Sequence, residues 1–89
     1  MNIKKLINDI NCIIIEKAHE NKKDFDHESI NWADLSCTDV ETGESFMGGK
    51  FIRVIIEEAA PECFSFKQFI LDELYELGYL EDITVVTEW

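Results

Sequence analysis

The chain has 89 residues, 46% of them hydrophobic, with ten aromatic side chains and a formal net charge of −11. A chain this short buries little more than ~60% of its unfolded surface, so the expectation is one small-cored domain spanning residues 1–89, without room for a large enclosed active site. The apolar content excludes disorder, and the acidity excludes direct binding to nucleic acid or an anionic membrane, leaving a basic partner surface as the expected target.

Ile3, Leu6, Ile7, Ile10, Ile13, Ile14 and Ala18 recur at helical spacing and predict an amphipathic helix over residues 2–20, with Lys4, Asn8, Asn11 and Lys22 on its polar face. The charge is split along the chain. Residues 1–23 hold five lysines against three acids, whereas residues 24–89 hold sixteen acids against three bases. The polar, unperiodic stretch 20–29 reads as a loop.

Residues 30–40 tolerate a strand, ETGE at 41–44 supplies a turn with Gly43, and KFIRVIIEE at 50–58 returns as a β-branched run, which together predict a hairpin. Ile52, Val54 and Ile56 share one face of the second strand, and Phe51, Arg53 and Ile55 share the other. That two-sided apolar pattern suggests an inner or covered strand, and Gly48 with Gly49 suggests a bulge at its start. Trp32 is read as core.

Pro61 closes the strand, and a second helix is predicted with Ser65 as N-cap, Gln68 completing a capping box, and Phe64 with Phe69 as a hydrophobic staple. Phe66, Phe69, Ile70, Leu74 and Leu77 form the expected buried stripe, Gly78 the stop, and residues 82–88 a last strand. The α-β-β-α-β order predicts an α+β two-layer sandwich, a three-stranded sheet with two helices on one face. The last strand should run parallel to the second, beside either the first or the second.

The stretch LDELYELGYLED, residues 71–82, holds five carboxylates and no base. Asp72 and Glu76 stand four apart, Glu73 and Glu76 three apart, and both glutamates meet the negative end of the helix dipole. The sum is ~1–3 kcal/mol of avoidable repulsion, where stability alone favours Lys or Arg. The functional alternative to a merely solubilising face is an interface comprising Asp72, Glu73, Glu76, Glu81 and Asp82, with Tyr75 and Tyr79 as anchors. Glu57 and Glu58 at the second strand's exit form a further cluster, while Glu62 is accounted for by the positive helix start.

Catalytic and cofactor motifs fail on spacing. A calcium loop at 24–35 has Ser29 in place of its glycine and Leu35 in place of its final glutamate. GESFMGGK lacks the first glycine of a phosphate loop and the hydroxyl after Lys50. Cys12, His19, His27, Cys37 and Cys63 show no zinc-ligand spacing, no histidine sits near Cys63 in sequence to activate it, and paired acids without a cleft make no glycosidase. The expectation is a non-enzyme without metal or cofactor. The odd count of three cysteines fits reduced thiols, and the lack of a membrane-length apolar run or signal peptide points to the cytoplasm.

In size, acidity and the 71–82 ridge the chain resembles the small acidic inhibitors that phages and mobile elements direct against host nucleases, the anti-CRISPR and anti-restriction proteins, some of them DNA mimics. The resemblance implies an inhibitor acting in the cytoplasm of a bacterial host on the basic nucleic-acid-binding surface of a CRISPR effector or nuclease, as a monomer or homodimer. It carries no motif and therefore no residue roles. The alternatives are an immunity protein or antitoxin neutralising a basic toxin, and an oligomerising adaptor working through an apolar surface around Trp89, Ile15 and Phe46.

Overall fold

The computed structural model describes residues 2–25, 29–44 and 46–89. Asp26, His27 and Glu28 of the expected loop, and of the calcium-loop comparison, lie outside the described residues. So does Ser45.

The first helix, α1 (Ile3–Ile13), starts where Asn2 accepts the Lys5 backbone N–H at 3.1 Å. It buries Leu6, Ile10 and Ile13. Beyond Ile13 the pitch widens into a π-helix over Ile14–Ala18 and then tightens into a 3-10 segment over His19–Asp24. The widened turn buries Ile14 and Ala18 together. Helical structure therefore reaches Asp24, four residues past the expected end at 20. Asn21 holds this polar turn by donating its side-chain amide to the Lys17 carbonyl at 2.8 Å.

Strand β1 is Ser36–Glu44, not 30–40. Ile30 instead forms an isolated antiparallel bridge with Ala59. Asn31 and Asp34 then close a turn, the Asp34 N–H donating to the Asn31 carbonyl at 3.2 Å, so Trp32 leaves strand geometry altogether. Trp32 is half-buried in an aromatic cluster, 6.2 Å from Phe25 and from Phe66 and 5.2 Å from His19 between ring centres.

ETGE is strand rather than turn. β2 (Lys50–Glu57) pairs antiparallel with β1 from Glu44↔Lys50 inward, and Gly43 faces Phe51. A Cβ on Gly43 would come within 2.6 Å of Phe51 Cζ, so the glycine makes room for the ring across the ladder. The described part of the connection is residues 46–49, with Gly48 at φ +85°. The bulge lies between Cys37 and Asp39 instead of at Gly48 and Gly49.

Helix α2 is Phe64–Glu76. It begins one residue before Ser65, because the Lys67 N–H already bonds the Cys63 carbonyl at 3.1 Å. Ser65 is thus inside the first turn and caps nothing, and Gln68 donates to Asp72 at 2.8 Å instead of closing a capping box. The staple is likewise absent: Phe64 is exposed beneath the Lys67 ammonium, 4.6 Å from its ring centre. Phe66, Ile70 and Leu74 are buried and Phe69 half-buried, but Leu77 is 56% exposed. Gly78 ends the helix as expected, at φ +98°. The Gly78 N–H bonds the Tyr75 carbonyl at 3.0 Å and the Tyr79 N–H that of Leu74 at 3.2 Å, a complete Schellman closure.

Strand β3 (Asp82–Glu88) pairs parallel with β2, which fixes the order β1-β2-β3 with β2 central. Ile52, Val54 and Ile56 of β2 with Ile83, Val85 and Thr87 of β3 face the helices and are buried. Their fully buried helical counterparts include Leu6, Ile10, Ile14, Phe66, Ile70 and Leu74. This is the α+β sandwich expected. Among the described residues no helix is long and apolar enough to cross a membrane.

Candidate acidic interface

The fold distributes the predicted site residues over three places. Asp72, Tyr75 and Glu76 lie on α2 turned away from the core, all exposed. Asp72 accepts the Gln68 amide, and neither acid makes an ion pair among the described residues. Glu81 and Asp82 follow the Gly78 stop at the start of β3, with Glu81 accepting the Leu80 backbone N–H at 3.0 Å. Glu57 and Glu58 stand at the opposite end of β2. Because Asp82 pairs with Phe51, the six residues from Phe51 to Glu57 put it ~20 Å from the second cluster along the strand.

Two of the predicted residues serve the fold itself. The Glu73 carboxylate is turned toward the first helical layer, 2.7 Å from Lys17 Nζ, with its side chain only 17% exposed. That contact raises the Lys17 pKa. The Tyr79 hydroxyl donates to Asp9 at 2.6 Å, and Lys5 donates to the same carboxylate oxygen at 2.8 Å. These bonds, first that from Lys5 and then that from Tyr79, hold the Asp9 pKa below the carboxylate range. Burial and then the Asp9 bond push the Tyr79 hydroxyl up. The like-charge repulsion read along residues 71–82 is therefore partly relieved by Lys17, and falls chiefly on Asp72 and Glu76.

Acids that the linear reading passed over appear on the helix-free side of the sheet. The pairings Asp39↔Ile55↔Val86, Glu41↔Arg53↔Thr84 and Ser36↔Glu57↔Glu88 place Asp39, Glu41 and Glu88 beside Glu57 and Asp82 around Phe51, Ile55 and Val86. The outward alternation Phe51, Arg53, Ile55 was the signal for this face, but its acids come from neighbouring strands. Arg53 is its one base among the described residues, 3.2 Å from Glu41 and stacked over Phe51 at 5.9 Å.

Comparison of the chain with protein-family models, with curated proteins and with solved structures gives no match in any of the three. Function is therefore read from the side chains alone.

Among the described residues no three or more His, Cys, Asp and Glu side chains gather in a metal-binding group. Cys37 and Cys63 are buried, and burial pushes the Cys37 thiol up to about 11. Cys12 is exposed. The apolar residues Phe46, Ile15 and Trp89 form no common surface: Phe46 sits at the hairpin tip, Trp89 follows the far end of β3, and Ile15 lies on the π-helix.

Proposed function

We propose that the protein is a stoichiometric inhibitor whose acidic surface occupies a basic nucleic-acid-binding groove of a CRISPR effector or nuclease in a bacterial host. The observation that carries this is the outward face of α2, where Asp72 and Glu76 stand exposed, one turn apart, with no ion pair among the described residues. Glu81 and Asp82 extend the negative surface past the helix end. Such carboxylates can satisfy the Arg and Lys side chains that otherwise contact phosphates, and a net charge of −11 steers the encounter. Tyr75, 46% exposed on the same face, is the available aromatic anchor.

The test is inhibition of DNA cleavage by purified CRISPR effectors and nucleases, with duplex DNA as competitor and salt as the variable. A groove-occupying inhibitor loses to DNA and weakens steeply as salt rises. The joint reversal Asp72→Lys, Glu76→Lys, Glu81→Lys and Asp82→Lys should remove inhibition while circular dichroism shows a folded protein. Inhibition that survives the reversal sinks the proposal.

A further inference from the structure

We propose that the hairpin end of the molecule is a self-association surface that joins two copies of this chain about a two-fold axis, adjoining the acidic surface at Glu81 and Asp82 but not including the outward face of α2. The register brings one end of every element together: Glu44↔Lys50 closes the hairpin, Phe51↔Asp82 sets the start of β3 beside it, and α1 begins there with Ile3. Among the described residues five apolar side chains project at this end. Phe46, Met47 and Leu80 are 90% exposed or more, Leu77 is 56% exposed and Ile3 37%. So many large apolar tips gathered at one end of a domain mark a contact surface rather than scattered exposure.

Charge selects the occupant. Two clefts open at this end, one of about 520 Å³ between Ile3 and the hairpin and one of about 270 Å³ between Lys5 and the Leu77–Tyr79 turn. The charged residues lining them are Lys5, Lys50, Glu44 and Glu81, two of each sign. Asp9, which accepts from both Lys5 and the Tyr79 hydroxyl, and Asp82, paired with Phe51, add two acids beside them. This end thus mixes both signs, on a molecule of net charge −11. On the helix-free sheet face, by contrast, two copies bring like charge together, because five acids there oppose Arg53, the one base among the described residues. Meeting here, they set mixed-sign rims and apolar tips against each other, the self-complementarity that a two-fold contact requires. Few anchors are involved, so the area falls short of the ~800 Å² per partner of a standard interface, and the dimer is a weak one.

Sedimentation equilibrium from about 20 µM to about 1 mM, where an interface of that size is populated, reads the prediction directly. The mass should rise toward twice 10.3 kDa and stop there. Phe46→Asp and Leu80→Asp replace side chains more than nine-tenths exposed, so folding is unaffected, and each should weaken association by about tenfold or more. Lys50→Glu should weaken it too. Added salt should strengthen it by screening the net repulsion, the opposite of its effect on docking to a basic groove, so the two ideas fail separately. A monomer at every concentration, a larger assembly, a dimer indifferent to both aspartate substitutions, or one weakened by salt overturns the proposal.

Discussion

Glu58 leaves β2 with φ +72°, a left-handed conformation that costs an L side chain roughly 1–2 kcal/mol. Backbone hydrogen bonds to both ends of the peptide unit that follows hold it there: the Glu58 carbonyl accepts the Asn31 N–H at 2.8 Å and the Ala59 N–H bonds the Glu88 carbonyl at 3.0 Å. Among the described residues its carboxylate accepts a single long bond, 3.3 Å, from the Asn31 amide. Glu58→Gly should accordingly stabilise the protein by up to about 1 kcal/mol, the relief of strain exceeding glycine's extra unfolded-state entropy, whereas β-branched Glu58→Val should destabilise by more than 1 kcal/mol. Urea unfolding of both variants measures the difference, and equal midpoints contradict it. The cysteines differ just as sharply. With its thiol held near 11, Cys37 should resist a thiolate-selective reagent at pH 8 in the folded protein, while exposed Cys12 reacts within minutes. Mass-mapped labelling separates the sites, and modification of Cys37 without unfolding contradicts the assignment.

Elements are tied to one another by a few polar contacts whose partners lie far apart in sequence. Asp9 of α1 receives both Lys5 and Tyr79, so the turn after α2 is pinned to the first helix. Because the Asp9 pKa is lowered in the fold, its contribution is present above the ordinary carboxylate range and is lost as pH falls through the depressed value; the raised Tyr79 pKa means the phenol's contribution is lost at strongly alkaline pH. Tyr79→Phe should cost about 1 kcal/mol near pH 7, and less at a pH low enough to protonate Asp9 in the fold. Thermal melts of the two proteins at both pH values decide this, and a pH-independent difference rules out the Asp9 bond as the cause. No linear pattern marks such a contact, which spans 70 residues. Local signals fared according to what competed with them. Gly78 ends α2 because nothing opposes its left-handed closure, and alternation gave the faces of β2 correctly. ETGE looked like a turn because local preference favours one there, yet cross-strand packing of Phe51 on Gly43 extends the strand through it. Ser65 looked like a cap, but the helix starts ahead of it.

At the scale of the molecule the acids sort by what they face. In the linear reading Asp72, Glu73 and Glu76 were equivalent members of one ridge; in the fold Glu73 is tied to Lys17 and the other two look outward. Helical periodicity alone separates their faces, but only tertiary packing shows that a lysine of the first helix meets one of them. Neighbouring carboxylates should therefore respond to substitution with opposite signs. Glu73→Gln loses a part-exposed ion pair and should cost about 0.5 kcal/mol, leaving partner binding nearly unchanged. Glu76→Lys removes an i,i+4 repulsion with Asp72 and an unfavourable charge at the negative helix end, together worth about 0.5–1.5 kcal/mol. New repulsion with exposed Lys17, which Glu76 attracts, trims part of that gain, leaving a rise of a few degrees in Tm. The same substitution should weaken inhibition of the target by about tenfold or more and flatten its salt dependence, because a carboxylate facing a basic groove has become a cation. A variant that melts higher and inhibits less is the signature of a side chain kept for a partner at the fold's expense. If Glu76→Lys is more stable and inhibits as well as the parent, the outward acids of α2 only keep the protein in solution.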